Sequence, residues 1–292
     1  MGAALASRLL AQGDGVTVWN RHVVATEPLV AAGATVAPDL PSIWRTAEVA
    51  MTFLANDGAV EEVYLSPDGL VGTAPEGALL IDMSTISPAS SSRVAAAARA
   101  RRIRYVRSPV SGNPSVLASG DITLIVSGDD DSIGAARGVL DHVGSKIYHV
   151  GQQEEARVMK LAVNALLGAN AQMLAEMITL CESRGIDRQA LLEVVAGSAI
   201  GSPFVKYKTQ ALLDRHYDAT FTLAMLVKDL RLVQDVAAAE PIPLPVTDLV
   251  TQLAVESCRE GLGDLDFLAL LPHLQARAGK PSDVPLSSPD KH

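Results

Sequence analysis

Aromatic residues and cysteines are scarce in this chain of 292 residues. Aromatic side chains make up 4% of it, although the hydrophobic fraction is 48%. The apolar content is therefore carried by small and aliphatic side chains, a composition typical of α/β and helical packing. The two cysteines, Cys181 and Cys258, have no metal-ligand spacing. We interpret them as buried thiols of a reducing compartment, the cytoplasm, and we predict no metal site.

An excess of positive charge and a long apolar run are also missing. The net charge of −9 argues against nucleic acid as a partner. Because no uninterrupted apolar run reaches the ~18–20 residues of a membrane span, no membrane partner is expected. The length of the chain exceeds what one hydrophobic core usually serves, and it therefore predicts two domains.

Secondary-structure signals change character near the middle of the chain. Short apolar strands alternate with helical patterns in the first half, which predicts a parallel sheet covered by helices. In the second half nearly every periodic segment is helical. We therefore predict an α/β domain over residues 1–150 and an all-helical domain over residues 151–280. A flexible tail is expected over residues 281–292, which are rich in Pro and Ser.

The N-terminus matches part of a dinucleotide-binding pattern. Gly2 leads into a helical segment, and the next predicted strand ends at Asn20-Arg21. In such folds a first strand and a G-x-G-x-x-G loop bring the pyrophosphate to a helix N-terminus. If Gly2 is the third glycine, the first strand and two glycines precede Met1, and a chain that starts at Met1 should bind the cofactor poorly. Gly2 by itself is equally compatible with an ordinary residue after the initiator.

The end of that strand bears on the choice between NAD and NADP. An acidic residue there would bond the ribose 2′-hydroxyl of NAD, whereas an arginine offers a planar cation to the 2′-phosphate of NADP. Asn20 and Arg21 therefore favour NADP. A solvated turn is an equally good explanation of Arg21 on local grounds.

Polar groups follow two further predicted strands. The Leu54-Ala55 backbone comes after an apolar strand, and Thr85 follows the next one. Because ligands bind at the carboxyl ends of parallel strands, these groups are expected to line the nicotinamide ribose. The alternatives are a turn at the first position and a helix cap at the second.

Two other segments are candidates for ligand contacts. Ser111, Gly112 and Asn113 follow a short strand, and the Ser111 hydroxyl and the bare Gly112 amide could bind a substrate carboxylate. A plain glycine turn is the alternative. Lys228 lies in an amphipathic helical segment, where a surface lysine is the commoner occurrence.

Lys160 and Asn164 form the most informative pair in the chain. Their spacing of four residues places both side chains on one face of a helix within an apolar stretch. An ammonium there is costly unless it is paired, hydrated or used. Such a lysine can donate a proton to a developing alkoxide, and the asparagine can hold the lysine or the substrate. A helix-surface lysine beside an ordinary polar residue is the alternative.

Taken in order, these segments resemble the β-hydroxyacid dehydrogenase family, which includes 3-hydroxyisobutyrate dehydrogenases, tartronate semialdehyde reductases and glyoxylate/succinic semialdehyde reductases. The resemblance runs from Gly2 to about Leu271, and each motif is weak alone. The matching motifs are Leu5-Ala6-Ser7-Arg8-Leu9-Leu10 followed by Val16-Thr17-Val18-Trp19-Asn20-Arg21, Ile81-Asp82-Met83-Ser84-Thr85-Ile86-Ser87-Pro88, Ser108-Pro109-Val110-Ser111-Gly112, Gly120-Asp121-Ile122-Thr123-Leu124, Lys160 with Asn164, and Lys228-Asp229-Leu230.

The resemblance implies a Rossmann-like dinucleotide-binding domain linked by a long helix to an all-α domain like that of 6-phosphogluconate dehydrogenase. The helical domain would bind substrate and form a homodimer or homotetramer. The implied reaction is hydride transfer between NADP or NAD and a small β-hydroxy acid or its semialdehyde. Lys160 would be the general acid in reduction, supported by Asn164. The substrate's anionic end would lie on Ser111, Gly112 and Asn113, and the cofactor on Gly2, Asn20, Arg21, Leu54, Ala55, Thr85 and Lys228.

Three departures from the family pattern concern the substrate more than the reaction type. Glu154 and Ala156 stand where the family usually has glycines, Asn113 replaces the second glycine of a pair, and Leu54-Ala55 stands in place of Leu-Pro after the third strand. An imine reductase is the nearest enzyme alternative, but such enzymes usually lack a lysine at the position of Lys160. A catalytically silent dehydrogenase-like interaction scaffold is the alternative from another class.

Overall fold

The computed structural model describes residues 1–284 and contains two compact units. The first unit is Met1–Leu161, and the second begins at Ala162. The division falls inside one long helix, whereas the sequence predicted a boundary at residue 150. The first turns of that helix belong to the first unit because the side chains of Ala156 and Arg157 are buried there.

The first unit alternates strands and helices, as predicted. Its strands are β1 (Thr17–Val18), β2 (Thr35–Val36), β3 (Val49–Thr52), β4 (Leu79–Asp82), β5 (Arg104–Arg107), β6 (Val110–Ser111), β7 (Thr123–Ser127) and β8 (Lys146–Gly151). Its helices are α1 (Gly2–Ala11), α2 (Glu27–Ala31), α3 (Asp57–Leu65), α4 (Leu70–Thr73), α5 (Pro88–Ala100), α6 (Pro114–Ser119) and α7 (Asp130–Val143).

The strands form two sheets. β1 and β2 pair in parallel in a sheet of their own, while the other six strands form a second sheet in which β3, β4 and β5 are parallel. β7 runs antiparallel to β5 and β6 and parallel to β8. The predicted all-parallel sheet is therefore wrong at β7. The physical reason is the short connection between Ser111 and Thr123, which pair directly, because a parallel return needs a longer crossover.

Side-chain caps fix the strand-to-helix junctions at one edge of the larger sheet. Asn56 accepts a hydrogen bond from the Ala59 amide at 2.9 Å and begins α3. Ser87 accepts one from the Ser90 amide at 3.0 Å and begins α5. α5 starts at Pro88, because proline is well tolerated in the first turn of a helix.

The second unit is helical among its described residues, as predicted. Its helices are α8 (Glu155–Ser183), which begins in the first unit, α9 (Arg188–Gly197), α10 (Pro203–Leu213), α11 (Leu223–Ala239), α12 (Pro245–Ser257) and α13 (Leu270–Arg277), with short irregular turns at Cys258–Leu262 and Phe267–Ala269. One hydrophobic core joins them, and Leu223, Leu226, Leu230 and Phe267 are fully buried in it. The predicted fold class, a Rossmann-like α/β domain followed by an all-α domain, is confirmed.

Helix α8 is long and apolar enough, by length and composition alone, to cross a bilayer, since an 18-residue window has a mean hydropathy of 1.2. One such helix is weak evidence for a membrane span. Buried core helices of soluble proteins have the same property, and α8 supplies Ala171, Leu174 and Ile178 to the core of the second unit.

The predicted flexible tail begins within the described part of the chain. Asp283 is paired there with Arg188 at 2.7 Å and with Arg215 at 3.1 Å, and it accepts a hydrogen bond from Tyr217 at 2.7 Å. These contacts hold residue 283 against α9, and the flexibility of the tail stays a prediction. The remainder of the predicted tail, residues 285–292, lies outside the described residues.

Candidate functional site

Three predicted cofactor-binding positions meet at one edge of the first unit. The N-terminus of α1 lies beside the end of β3, because a Cβ placed on Gly2 would be 4.0 Å from the Cβ of Phe53. The Leu54 amide donates a hydrogen bond to Ser84 Oγ at 2.8 Å. This bond joins the loop after β3 to the loop after β4, where the half-buried Thr85 follows Ser84. The structure therefore brings Gly2, Leu54 and Thr85 to the same edge of the sheet.

A buried carboxylate organises this edge. Asp82 ends β4 and is fully buried; its Oδ1 accepts hydrogen bonds from Thr52 Oγ1 and from the Ser84 amide, both at 3.0 Å. Its Oδ2 accepts one from Tyr105 at 3.2 Å. Burial, followed by the charge of Asp82, raises the pKa of the Tyr105 hydroxyl well above its ordinary value, so this hydroxyl remains a donor. The strand ends are therefore tied together by a network with defined donors and acceptors.

The first turn of α8 contributes the positive charge of this network. Arg157 is fully buried and donates from Nη2 to Asp82 Oδ2 at 2.7 Å. Burial opposes the charge of the guanidinium, but Asp82 and Tyr105 outweigh it and raise the pKa of Arg157 above its ordinary value. Lys160 lies three residues further along the same helix and is half-buried. The candidate general acid thus projects from a helix whose first turn is bonded to the strand-end network.

The departures at residues 154 and 156 have a structural explanation. Arg107, at the end of β5, donates to Glu154 Oε1 from Nε at 3.0 Å and from Nη2 at 2.5 Å. Ser92 Oγ donates to the same oxygen at 3.1 Å. Glu154 therefore ties the start of α8 to β5 and α5 through side-chain contacts that a glycine could not make. Ala156 is completely buried, which leaves little room for a larger side chain.

Asn20 and Arg21 follow β1 at the surface, and both are exposed. Asn20 Oδ1 accepts a hydrogen bond from the His22 amide at 2.9 Å and so shapes the turn. The Arg21 guanidinium is therefore accessible to a ligand. Its predicted role as a 2′-phosphate partner remains a prediction.

The predicted substrate loop follows β6. Ser111 pairs with Thr123 across the sheet, and Gly112 next to it is exposed with a φ of 141°. A side chain at this glycine would collide with Ile122 Cδ1. Asn113 Oδ1 accepts hydrogen bonds from the Val116 amide at 3.0 Å and from Ser115 Oγ at 2.7 Å, and so caps α6. The structure thus gives the Asn113 side chain a role in the fold, while a bare backbone is retained at Gly112.

Two predicted residues of the second unit share one partner. Asn164 Nδ2 donates to Asp229 Oδ2 at 2.5 Å, and Lys228 Nζ lies 2.9 Å from Asp229 Oδ1. Asn164 and Asp229 are both buried. The amide and the ammonium compensate the carboxylate, which lowers the cost of burying its charge. Asp229 therefore fixes the orientation of Asn164, one helical turn after Lys160 in α8.

Sequence reasoning did not select three charged residues that shape these sites. Asp82, Arg157 and Asp229 are each at most 1% exposed. The sequence marks each of them as a charged residue in a strongly apolar segment. Asp82 is at the end of an apolar strand, and Arg157 and Asp229 are on the apolar faces of helices. Such a charge is expected to be paired, but the sequence does not identify its partner.

The residues present fit a nicotinamide dinucleotide. No side chain caps the N-terminus of α1 within the described chain, so its first amides are available to a pyrophosphate. The loops after β3 and β4 lie at the carboxyl edge of parallel strands, where such ligands bind in open α/β sheets. The exposed Arg21 follows a third strand of the same unit.

Comparison with known proteins agrees with this geometry. Residues 1–151 match the family model of the NAD-binding domain of 6-phosphogluconate dehydrogenase, and residues 155–274 match that of the NAD-binding domain of NADP-dependent 3-hydroxyisobutyrate dehydrogenase. An NAD-dependent L-serine dehydrogenase from Pseudomonas aeruginosa is 31% identical over 91% of this chain and 92% of its own length. A glyoxylate/succinic semialdehyde reductase from Arabidopsis thaliana is 28% identical over 94% of this chain and 77% of its own.

Solved structures show the same relationship. A 3-hydroxyisobutyrate dehydrogenase from Salmonella typhimurium is 26% identical, with a TM-score of 0.85 over 92% of this chain and 95% of its own. An imine reductase from a Pseudomonas species is 22% identical, with a TM-score of 0.62 over 94% of this chain and 96% of its own, so it shows a shared fold alone. The chain belongs to the β-hydroxyacid dehydrogenase family and is an NAD(P)-dependent oxidoreductase.

Proposed function

We propose that this enzyme reduces a small semialdehyde or oxo acid to the corresponding hydroxy acid with NADPH, with Lys160 as the general acid. The observation that carries the proposal is the first turn of α8. There Arg157 is bonded to the strand-end network beside Thr85, and Lys160 follows three residues later on the same helix. A lysine on the helix that Arg157 bonds to the Ser84 carbonyl has the chemistry required to protonate a nascent alkoxide.

The proposed step assigns each group a defined task. The nicotinamide, when bound, supplies the hydride. The substrate carboxylate is held by the Ser111 hydroxyl and the Gly112 amide. Lys160 Nζ donates a proton to the carbonyl oxygen as the oxygen acquires negative charge, and in the oxidative direction the resulting amine accepts the hydroxyl proton. Asn164, oriented by Asp229, follows Lys160 by one helical turn in α8.

Relatives suggest the substrate class. The names of the relatives above refer to L-serine, glyoxylate, succinic semialdehyde and 3-hydroxyisobutyrate, which are all small and carry a carboxylate. We therefore propose a small carboxylate with a hydroxyl or carbonyl group near it. These compounds, together with a cyclic imine, form the panel that tests the proposal. Turnover of the imine and of no carboxylate would favour an imine reductase, and turnover of nothing in the panel would favour a silent scaffold.

Replacing Lys160 tests the general acid. Lys160→Met keeps an unbranched apolar side chain and removes the proton, and we expect kcat to fall about 10²–10⁴-fold with little change in the Kd of NADPH. Lys206→Met, which changes a lysine in α10, is the control and should leave kcat unchanged. A Lys160→Met enzyme with wild-type turnover would eliminate Lys160 as the acid.

Replacing Arg21 tests the cofactor preference. The NADP-dependent enzyme named in the second family model and the accessible guanidinium both support NADPH. Arg21→Ala should weaken NADPH binding roughly 10-fold or more, as expected for a charge-assisted contact, and leave NADH binding nearly unchanged. Arg101→Ala, at an exposed arginine after α5, controls for the change in net charge. Equal losses for both cofactors would refute the phosphate contact.

We further propose that the second unit mediates self-association, as a homodimer or homotetramer. Leu166, Met173 and Leu180 recur every seven residues on α8 and are 53–66% exposed. An apolar stripe of this kind on a soluble protein favours burial against another surface. Sedimentation equilibrium should give an oligomer that Leu166→Glu/Met173→Glu converts to a monomer. A wild-type monomer at tens of micromolar would contradict this proposal.

A further inference from the structure

Arg157 is a buried charge that the proposed reaction does not use. Its guanidinium donates from Nη1 to the Ser84 carbonyl at 2.6 Å and from Nη2 to Asp82 Oδ2 at 2.7 Å and Tyr105 Oη at 3.1 Å. Nε donates to Ser91 Oγ at 3.2 Å. A planar fork with donors in fixed directions can satisfy all of these acceptors together, whereas an ammonium at one point cannot.

These contacts connect the predicted cofactor loop to the helix that carries Lys160. Ser84 directly precedes Thr85, and its own side chain accepts the hydrogen bond from the Leu54 amide. Arg157 therefore reaches the junction of both strand-end loops from a position less than one helical turn before Lys160.

A second ion pair, between Glu154 and Arg107, holds the same end of α8. Its charges are exchanged between helix and sheet relative to the pair of Arg157 and Asp82. The carboxylate of Glu154 is on the helix side, and the guanidinium of Arg107 is on the sheet side. In the first pair the guanidinium of Arg157 is on the helix and the carboxylate of Asp82 is on the sheet. Two separate anchors restrict both the rotation of the helix about its axis and its translation along that axis.

We propose that Arg157, with Asp82 as its counter-charge, is a positioning residue that sets the placement of Lys160 relative to the cofactor loop at Ser84-Thr85. The inference rests on the proposed role of Lys160. It predicts that Arg157 affects the chemical step and leaves ligand affinity largely unaffected. A reacting group misplaced by about 1 Å can lose roughly 10²-fold in rate without any loss of binding contacts.

Arg157→Lys is the test, because it keeps the positive charge beside Asp82 and removes the fork. We expect kcat to fall about 10–100-fold, the KM values for NADPH and substrate to change less than about 2-fold, and the primary deuterium isotope effect with 4-deuterated NADPH to increase. Amide hydrogen exchange in residues 155–161 should accelerate. Asp82→Asn should give the same pattern.

Leu140→Ala is the matched control, because it removes a buried apolar side chain from α7 and destabilises the same unit while every hydrogen-bonding group around Arg157 is kept. Both variants are assayed at a temperature at which circular dichroism shows them folded. Loss of kcat in Arg157→Lys but not in Leu140→Ala supports the proposal. Equal kcat values in the two variants, or unchanged exchange in residues 155–161 of Arg157→Lys, overturn it.

The exchange measurement also separates this inference from the proposed function. If the wild-type enzyme reduces nothing in the substrate panel, the proposed reaction fails. Faster exchange in residues 155–161 of Arg157→Lys alone would then still support the anchoring of this helix end, while unchanged exchange would overturn the anchoring as well.

Discussion

Replacing Gly112 with alanine tests both the backbone and the chemistry of the predicted substrate loop. The φ of Gly112 is 141°, a conformation that L-residues rarely adopt. An added Cβ would collide with Ile122 Cδ1 and lie 3.2 Å from Val116 Cγ1. Ile122 is completely buried, so its side chain has little freedom to move away.

The cost of this substitution has two contributions. Forcing a methyl group against the buried Ile122 side chain costs about 1–3 kcal/mol. A non-glycine residue in a sparsely populated backbone conformation costs a further ~1–3 kcal/mol. We therefore expect the free energy of unfolding of the first unit to fall by about 2–6 kcal/mol, a large part of the ~5–15 kcal/mol typical of a folded domain.

Tryptophan fluorescence during urea unfolding measures this loss in the relevant unit, because both tryptophans, Trp19 and Trp44, lie in the first unit. Gly138→Ala is the matched control. Gly138 is exposed in α7, an added Cβ would meet nothing within 4 Å, and alanine in a helix interior should stabilise by ~0.8–1 kcal/mol. The same chemical change is thus expected to act in opposite directions at the two positions. A Gly112→Ala protein as stable as the wild type would refute the steric argument.

Three further predictions concern the second unit. Lys208→Met leaves the buried Asp266 carboxylate without its ammonium partner and should lower the free energy of unfolding by about 3–5 kcal/mol. The double variant Lys208→Met/Asp266→Asn also removes the unpaired charge and should regain part of the lost free energy of unfolding. If the double variant is no more stable than Lys208→Met, the loss is not due to the buried charge. Burial alone would raise the pKa of Asp283, but contacts with Arg188 and other groups hold that pKa below its ordinary value of 3.8. The ionised Asp283 therefore stabilises the fold above pH 3.8, and this stabilisation is lost as the pH falls through the lowered pKa. Asp283→Asn should flatten the acid limb of a stability–pH curve, and an unchanged limb would refute this. Asp229→Asn should lower kcat by a larger factor than it changes the Kd of NADPH, because the Asp229 carboxylate orients Asn164. A variant with a lower free energy of unfolding and an unchanged kcat would contradict that role.

The sequence predicted much of the local structure because local structure depends on local chemistry. The helical periodicity predicted for the second half agrees with the helices α8 to α13 of the described residues. Asn56 and Ser87 follow strand ends and cap α3 and α5, because each side chain accepts a hydrogen bond from the amide three residues ahead.

Three of the predicted cofactor-binding positions lie close together, and their role stays a prediction. The structure brings Gly2, Leu54 and Thr85 to one edge of the sheet, as the carboxyl-end rule for parallel strands requires. Asn113 was predicted to bind substrate, but its side-chain oxygen caps α6. In the sequence, an asparagine before a helix that starts with proline is compatible with substrate binding and with helix capping. The hydrogen bonds of the structure distinguish the two roles.

The sequence by itself determined the class of fold, the order of the cofactor and substrate motifs, and the candidate lysine, since each depends on residues within a few positions of one another. Tertiary structure decided the direction of β7 and the pairing of the buried charges. Asp82 and Arg157 are 75 positions apart, and Arg107 and Glu154 are 47 apart. No local pattern links such residues, because packing brings them together only after the strands and helices have formed.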